Sequence, residues 1–427
     1  VGEHWRFGRN LAILVSGEVL SRALGFLAFT QLARLLDPPG YGRVELTQAV
    51  MVFLTLTVDL GLGTLGTREI AARSAPVRKL ICGVVSAQLL LAIAVYGLLV
   101  LAVVCLPVER VLARLLLGFA LGLFGFPFLL PWVFQGWNRM GPVAALQVLR
   151  YAVFVVVALS VVRGPTDLLR LPWAEVSAVT VTAIGHVALL RRAGERVTIN
   201  IRAGCNPHLL WDGLPIGGSQ LVWACRMYLP IMLLAASSGQ AVIAFFGAAH
   251  RIVMVGGTLL ALYFTALFPT MSAASTESPE ALAVLLRRSM RRLLWPTLAV
   301  TAATTLAAAP VMRLVFGGQF VRPEASGSLA VLMWILPLLV WRRHYRNGLI
   351  VLNRQREELA CSLFGLVILV GLTAYLGSRY GAVGGAWAMV LSEGAGALAT
   401  WWRLKHWLSA QRRSDAGLGG TYVRNGQ

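Results

Sequence analysis

Residues 80–106 read LICGVVSAQLLLAIAVYGLLVLAVVCL, twenty-seven residues without a single acidic or basic side chain. A helix crosses the hydrocarbon of a bilayer with about 20 apolar residues, so this stretch spans a membrane by itself. Working outward, comparable stretches recur toward both ends. Upstream and just downstream they cover 10–32, 44–65, 111–134, 144–162 and 171–190; in the second half they cover 214–236, 241–268, 293–315, 329–352, 359–376 and 382–402. Gly/Pro connectors such as Asp37-Pro38-Pro39-Gly40-Tyr41-Gly42 separate them. About twelve transmembrane helices are expected.

The composition agrees. The 427 residues are 57% hydrophobic and 13% charged, with a mean hydropathy of +0.72. Soluble domains carry roughly 45–50% apolar and about 25% charged residues. No large soluble domain fits between the spans, so the chain reads as an all-α polytopic membrane protein. The formal charge is +20, which on a soluble protein would suggest nucleic acid. Here it has two other sources, basic cytoplasmic connectors and arginines inside helices, and no nucleic-acid partner is expected. Cys82, Cys105, Cys205, Cys225 and Cys361 are scattered without metal-ligand spacing, so neither a metal nor a cofactor is expected. The first apolar stretch is too long for a cleavable signal and no small-residue cleavage site follows it; it would act as the insertion signal.

Alternate connectors differ in basic residues. One set holds Arg6 and Arg9, Arg68 to Lys79, Arg139, Arg191 to Arg202, Arg287 to Arg292, Arg354 and Arg356, and the tail from Arg403 to Arg424. The other holds Arg34, Arg43, Arg110, Arg114, Arg163, Arg170, Arg322 and Arg379. The first outweighs the second by between two- and three-fold, which assigns it to the cytoplasm together with both termini. Residues 1–190 then form an N-terminal six-helix lobe, 191–213 a cytoplasmic linker, 214–408 a C-terminal six-helix lobe, and 409–427 a polar, disordered cytoplasmic tail. Ser278-Pro279-Glu280 places an N-cap before a proline. It opens a basic amphipathic stretch, 281–292, suited to the anionic inner leaflet. Arg22 precedes Tyr41-Gly42 by nearly the interval at which Arg226 precedes Phe246-Gly247. Two six-helix halves of parallel orientation, related by a pseudo-two-fold axis along the membrane normal, would give this repeat.

The informative residues are charges inside the spans, where a central arginine costs roughly 2.5–3.5 kcal/mol on insertion scales. The cations are Arg22, Arg226, Arg251, Arg342, Arg343, Arg346, His186, His250 and His344; the acids are Glu18, Asp59, Glu175 and Glu393. Glu18 and Arg22, four apart, share a helix face, either as a self-satisfying ion pair or as an arginine oriented toward an anionic ligand. Arg226 has no acid within a helical turn. Arg342 and Arg346 either snorkel to the inner interface or line a wet vestibule, and the pair His250-Arg251 is as open. Asp59 precedes Leu60-Gly61-Leu62-Gly63, whose small residues suit close helix contact; ion coupling is the other reading. Cations outnumber acids, as a cavity for an anion requires, and guanidinium groups bind phosphate through paired charge-assisted hydrogen bonds. Arg22, Arg226, Arg251, Arg342, Arg346 and His250 are the candidate cavity cations, with Glu18 and Asp59 orienting or ion-coupling. No Walker A, dinucleotide, HExxH or GxSxG motif occurs, and no catalytic residue is assigned.

Several stretches resemble bacterial polysaccharide flippases. They are Gly17-Glu18-Val19-Leu20-Ser21-Arg22, Gln31 to Leu36, Pro39-Gly40-Tyr41-Gly42, and Asp59-Leu60-Gly61-Leu62 followed by Thr67-Arg68-Glu69-Ile70-Ala71. Phe246 to Arg251, Leu267-Phe268-Pro269, Val315 to Phe320 and Asn347 to Arg356 follow in the same order. The resemblance covers nearly the whole chain. It implies the multidrug/oligosaccharidyl-lipid/polysaccharide exporter fold, two lobes around a central cavity. It further implies a polyprenyl-diphosphate-linked oligosaccharide, a unit of O-antigen, capsule or exopolysaccharide, moved from the inner to the outer leaflet of a bacterial plasma membrane. Membrane lipids, a polysaccharide polymerase and other assembly proteins are the implied partners of a functional monomer. Arg226-Met227-Tyr228-Leu229-Pro230 lacks the acid that relatives often carry beside this arginine, which puts ion coupling there in doubt. Three rivals remain: a cation-coupled drug antiporter of the same superfamily, which would favour intramembrane acids; a membrane glycosyltransferase or ligase, which would need a longer outer loop than any present; and a non-transporting scaffold, which would have no use for a costly intramembrane Arg226.

Overall fold

A computed structural model describes the backbone of residues 2–73 and 76–422. Among these residues every regular element is helical. In chain order the α-helices are α1 Gly2–Leu35, α2 Pro38–Asp59, α3 Leu62–Ala72, α4 Val77–Cys105, α5 Arg110–Ala120, α6 Pro131–Gly136, α7 Met140–Val161 and α8 Pro172–Arg192. They continue with α9 Ile201–Gly204, α10 Pro207–Ser237, α11 Gln240–Glu277, α12 Pro279–Leu306, α13 Ala308–Phe316, α14 Pro323–Leu332, α15 Ile335–Val351 and α16 Gln355–Tyr422.

Among the described residues nine helical segments are long and apolar enough to cross a membrane, and two bent pairs, α2/α3 and α12/α13, raise the number to eleven if each is one span. The last of the nine, within α16, is broken at Gly381 (φ 55°) into two segments. Counted so, the described residues supply twelve spans, as the apolar stretches of the sequence predict. The chain is a multi-pass membrane protein.

The breaks are where the structure departs from simple reading. The second stretch bends by 41° and the ninth by 81°, each in place of one continuous helix. The fourth passes through two short 3-10 turns, Leu121–Phe124 and Phe126–Phe128, the second carrying a proline. Ser278 caps α12 as expected, its hydroxyl accepting from the Ala281 amide at 3.0 Å, but the basic stretch it opens continues as one helix to Leu306. The tail was expected to lack regular structure, yet α16 runs on to Tyr422; residues 409–413 are mostly good helix formers, while 414–422 hold three glycines and have no such propensity. Residues 423–427, with Arg424, lie outside the described residues.

The helices form two compact units. The first comprises 1–235, 239–244 and 315–319; the second comprises 236–238, 245–314 and 320–427. The first unit therefore takes in the 191–213 connector and most of α10, whereas a lobe boundary was expected after residue 190. Packing explains this. A Cβ on Gly204 would come within 2.9 Å of Ser86 Cβ, and the Asn200 amide donates to Ser86 Oγ at 2.9 Å. The α2/α3 bend seats α10 as well. Gly61 (φ +78°) lies so close that an added Cβ would be 2.6 Å from the Gly213 carbonyl oxygen and the Gly217 nitrogen. The helix contact that the glycines around Asp59 suggest is thus present, made by backbone on backbone. Gly61→Ala combines a strained left-handed backbone with this clash, and is expected to destabilise the folded protein by about 1–3 kcal/mol, measured as a lower melting temperature in detergent.

In the second unit α15 packs on α16 and α12. Met271, Leu282, Leu286, Leu349 and Leu404 close an apolar cluster there. Beside it, Tyr263 and Ser289 hydroxyls lie 2.8 Å apart, and Ser289 Oγ is 2.9 Å from His344 Nε2.

Candidate functional site

Two polar places stand out in the first unit. At the first, Arg22 Nε donates to Glu18 Oε1 at 2.7 Å within α1, and Gln147 Nε2 of α7 donates to the other carboxylate oxygen. This is possible because α1 and α7 approach closely; a Cβ on Gly17 would sit 2.6 Å from Ala144 Cβ. Glu18 is thereby fixed from two helices, and the guanidinium it holds is half exposed, at 52%. Tyr151 and Tyr228 lie in the neighbourhood of Arg22. Arg226, two residues before Tyr228 and so on another face of α10, is half-buried; both arginines with the strongest sequence case lie in one unit.

The second place is a cavity of about 550 Å³ whose lining includes Asp59, Arg68, Gln88, Trp132, Gln135 and Arg150. The α2/α3 bend builds one wall. Asp59 closes α2, and its Oδ1 accepts from the Gly63 amide at 3.2 Å and from Gln88 Nε2 of α4 at 3.0 Å. Gly66 leaves room for the indole of Trp132, since a Cβ there would be 2.5 Å from the ring. Arg150 Nη2 donates to Glu175 Oε1 at 2.6 Å, joining α7 to α8, and Arg68 Nη2 is 3.2 Å from Glu69 Oε1. Arg150 was not among the candidate cations. The signal that points to it is Glu175, an acid inside an apolar stretch that calls for a basic partner elsewhere.

The second unit holds the remaining candidates and treats them differently. Arg342 is buried, 2% exposed, with Nη1 3.0 Å from Glu393 Oε2 and Nη2 donating to Ser362 Oγ at 3.0 Å. Gly396 makes the space, because a Cβ there would meet the guanidinium carbon at 3.0 Å. Ser362 donates in turn to Glu358 at 2.7 Å, and Glu358 accepts from Arg346 Nε at 3.0 Å. Arg342 and Arg346 therefore zip α15 to α16. Arg346 stays exposed, at 46%, but Arg342 neither snorkels nor lines a vestibule, since its charge is neutralised inside the unit. His250 is also buried, its ring 5.8 Å from Phe246 and nearly parallel to it. Arg251 is half-buried. Among the described residues no group of three or more His, Cys, Asp or Glu side chains could hold a metal ion.

Residues 7–275 match the family described as polysaccharide biosynthesis protein. A curated relative, a putative O-antigen transporter of Shigella dysenteriae, is 22% identical over 390 residues, 90% of this chain and 95% of its own. Among solved structures, a multidrug resistance MATE family transporter of the MOP superfamily in an inward-facing conformation superposes with a TM-score of 0.75 at 18% identity, covering 94% of this chain and 99% of that one. The lipid II flippase MurJ, in an inward closed conformation, gives 0.76 at 11% identity, covering 92% of this chain and 87% of its own. These likenesses give the chain the fold of MOP-superfamily transporters.

Proposed function

The chain belongs to the polysaccharide biosynthesis protein family, and on that basis we propose that it is a flippase. It carries a polyprenyl-diphosphate-linked oligosaccharide from the inner to the outer leaflet by alternating access, without enzymatic chemistry. The observation that carries this reading is that the first unit holds two arginines within apolar spans, Arg22, bonded to a Glu18 that Gln147 also fixes, and Arg226 on α10. A diphosphate offers several acceptor oxygens to guanidinium donors, and moderate contacts allow release as well as capture. Arg251 and Arg346 are candidate cations of the second unit by itself; Arg342 and His250 are buried in that unit. The termini face the cytoplasm in this reading. An inside-negative potential favours outward movement of an anion by about 2.3 kcal/mol per charge per 100 mV.

Asp59 supports a second reading, cation-coupled drug antiport, because it is a carboxylate set among apolar helices. One experiment separates the two. Purified protein reconstituted in vesicles is expected to speed the exposure of a polyprenyl-diphosphate-linked glycan to an external glycosidase by tenfold or more over protein-free vesicles, on the order of what about 1.4 kcal/mol of barrier gives. Unchanged exposure, together with cation-dependent uptake of a cationic dye, would overturn the flippase reading in favour of the antiporter.

A further inference from the structure

We propose that the 550 Å³ cavity of the first unit is a subsite for a neutral sugar ring of the cargo, separate from the arginine contacts that hold the diphosphate. The inference rests on the flippase reading. Small-molecule sites occupy about 300–1,000 Å³, so the cavity has room for a sugar ring with its substituents.

Its charge argues against a phosphate. Arg150 already faces Glu175 at 2.6 Å, and Arg68 faces Glu69 at 3.2 Å. Both lining cations are already engaged by carboxylates outside the lining, so neither guanidinium is left uncommitted to hold a phosphate; a neutral polyol needs neither. The side amides of Gln88 and Gln135 and the carboxylate of Asp59 are flat polar groups that each engage adjacent ring hydroxyls, while Trp132 and Phe126 supply apolar surface for the C–H face of a pyranose.

Two buried atoms of the lining residues add to this. Gln88 Oε1 and Trp132 Nε1 have no hydrogen-bond partner among the described residues. One is an acceptor and the other a donor. Both atoms are closed to solvent in this conformation, so a sugar hydroxyl, which donates and accepts at once, meets them only when the lining side chains turn toward the cavity. The same groups suit a proton or metal ion poorly, because neither uses an indole N–H.

The test is binding to the purified full chain in lipid nanodiscs. The probes are bare polyprenyl diphosphate and the same lipid carrying glucose, galactose, N-acetylglucosamine or glucuronate. The wild type is expected to bind at least one neutral-sugar probe tenfold or more tighter than the bare lipid, with no such gain for glucuronate. Gln135→Ala and Thr64→Val, on the less buried part of the lining, are each expected to erase most of that gain while leaving the Kd for the bare lipid unchanged, which also shows that they fold. If the bare lipid binds but no neutral sugar improves it, or glucuronate gains as much, or both variants keep the gain, the subsite is wrong and the flippase reading stands. If no polyprenyl diphosphate binds the wild type, the flippase reading itself fails and the subsite with it.

Discussion

Glu393→Ala is expected to be the most damaging single substitution in the second unit, at a cost of about 3–5 kcal/mol. The magnitude follows from burial. Arg342 and Glu393 side chains are 2% and 6% exposed and 3.0 Å apart, so removing the carboxylate strands a guanidinium where neither water nor lipid solvates it. Ser362 would remain its neutral partner, and Ser362 is itself tied to Glu358. Loss of the pair therefore loosens the α15/α16 contact at two successive turns. Thermal unfolding in detergent measures the effect. The double variant Arg342→Met/Glu393→Met should recover most of the lost stability, because two apolar side chains leave no stranded charge. A Glu393→Ala protein that melts with the wild type would show that the pair is not closed off as described.

That pair also shows why part of the site escaped a reading of the sequence. Periodicity reveals neighbours three or four residues apart, so Glu18–Arg22 is legible and is present at 2.7 Å. Arg150–Glu175 and Arg342–Glu393 join positions 25 and 51 residues apart, and nothing local marks them. Counting cations against acids along the chain treated Arg342 as surplus, when a distant helix supplies its acid. The same limit applies to the connectors. Hydropathy locates all twelve spans, since burial in lipid acts on each segment alone, but the 191–213 connector reads as a spacer. Its place in the first unit depends on Gly204 meeting Ser86 and Ala87, a fit between backbones. The glycines after Asp59 were a better guide, because a run of small residues in an apolar helix has few uses apart from close approach.

Arg22→Ala and Arg226→Ala are each expected to reduce export of lipid-linked glycan roughly ten- to a hundredfold, with normal insertion and folded yield. The asymmetry with Glu393 is the point of the comparison. Arg22 is half exposed and Glu18 keeps Gln147 as a partner when Arg22 is lost, so truncation strands little buried charge and leaves the fold intact. What disappears is a half-exposed guanidinium. A charge-assisted contact to phosphate contributes about 1.5–3 kcal/mol; losing it from a state crossed in every cycle gives roughly ten- to a hundredfold in rate. Lysine separates the possible roles. Arg22→Lys keeps the charge and gives up the planar fork, so partial flux is expected if the group holds a diphosphate, and full flux if only a positive potential is needed. Glu18→Gln tests the orienting role, since it keeps a hydrogen-bond acceptor for Arg22 but weakens its grip; an intermediate loss is expected. Export is measured as surface glycan in cells lacking their own flippase, with membrane levels of each variant as the control. Full flux from both alanine variants would remove the cationic cargo site from the first unit, whatever the family membership says of the fold.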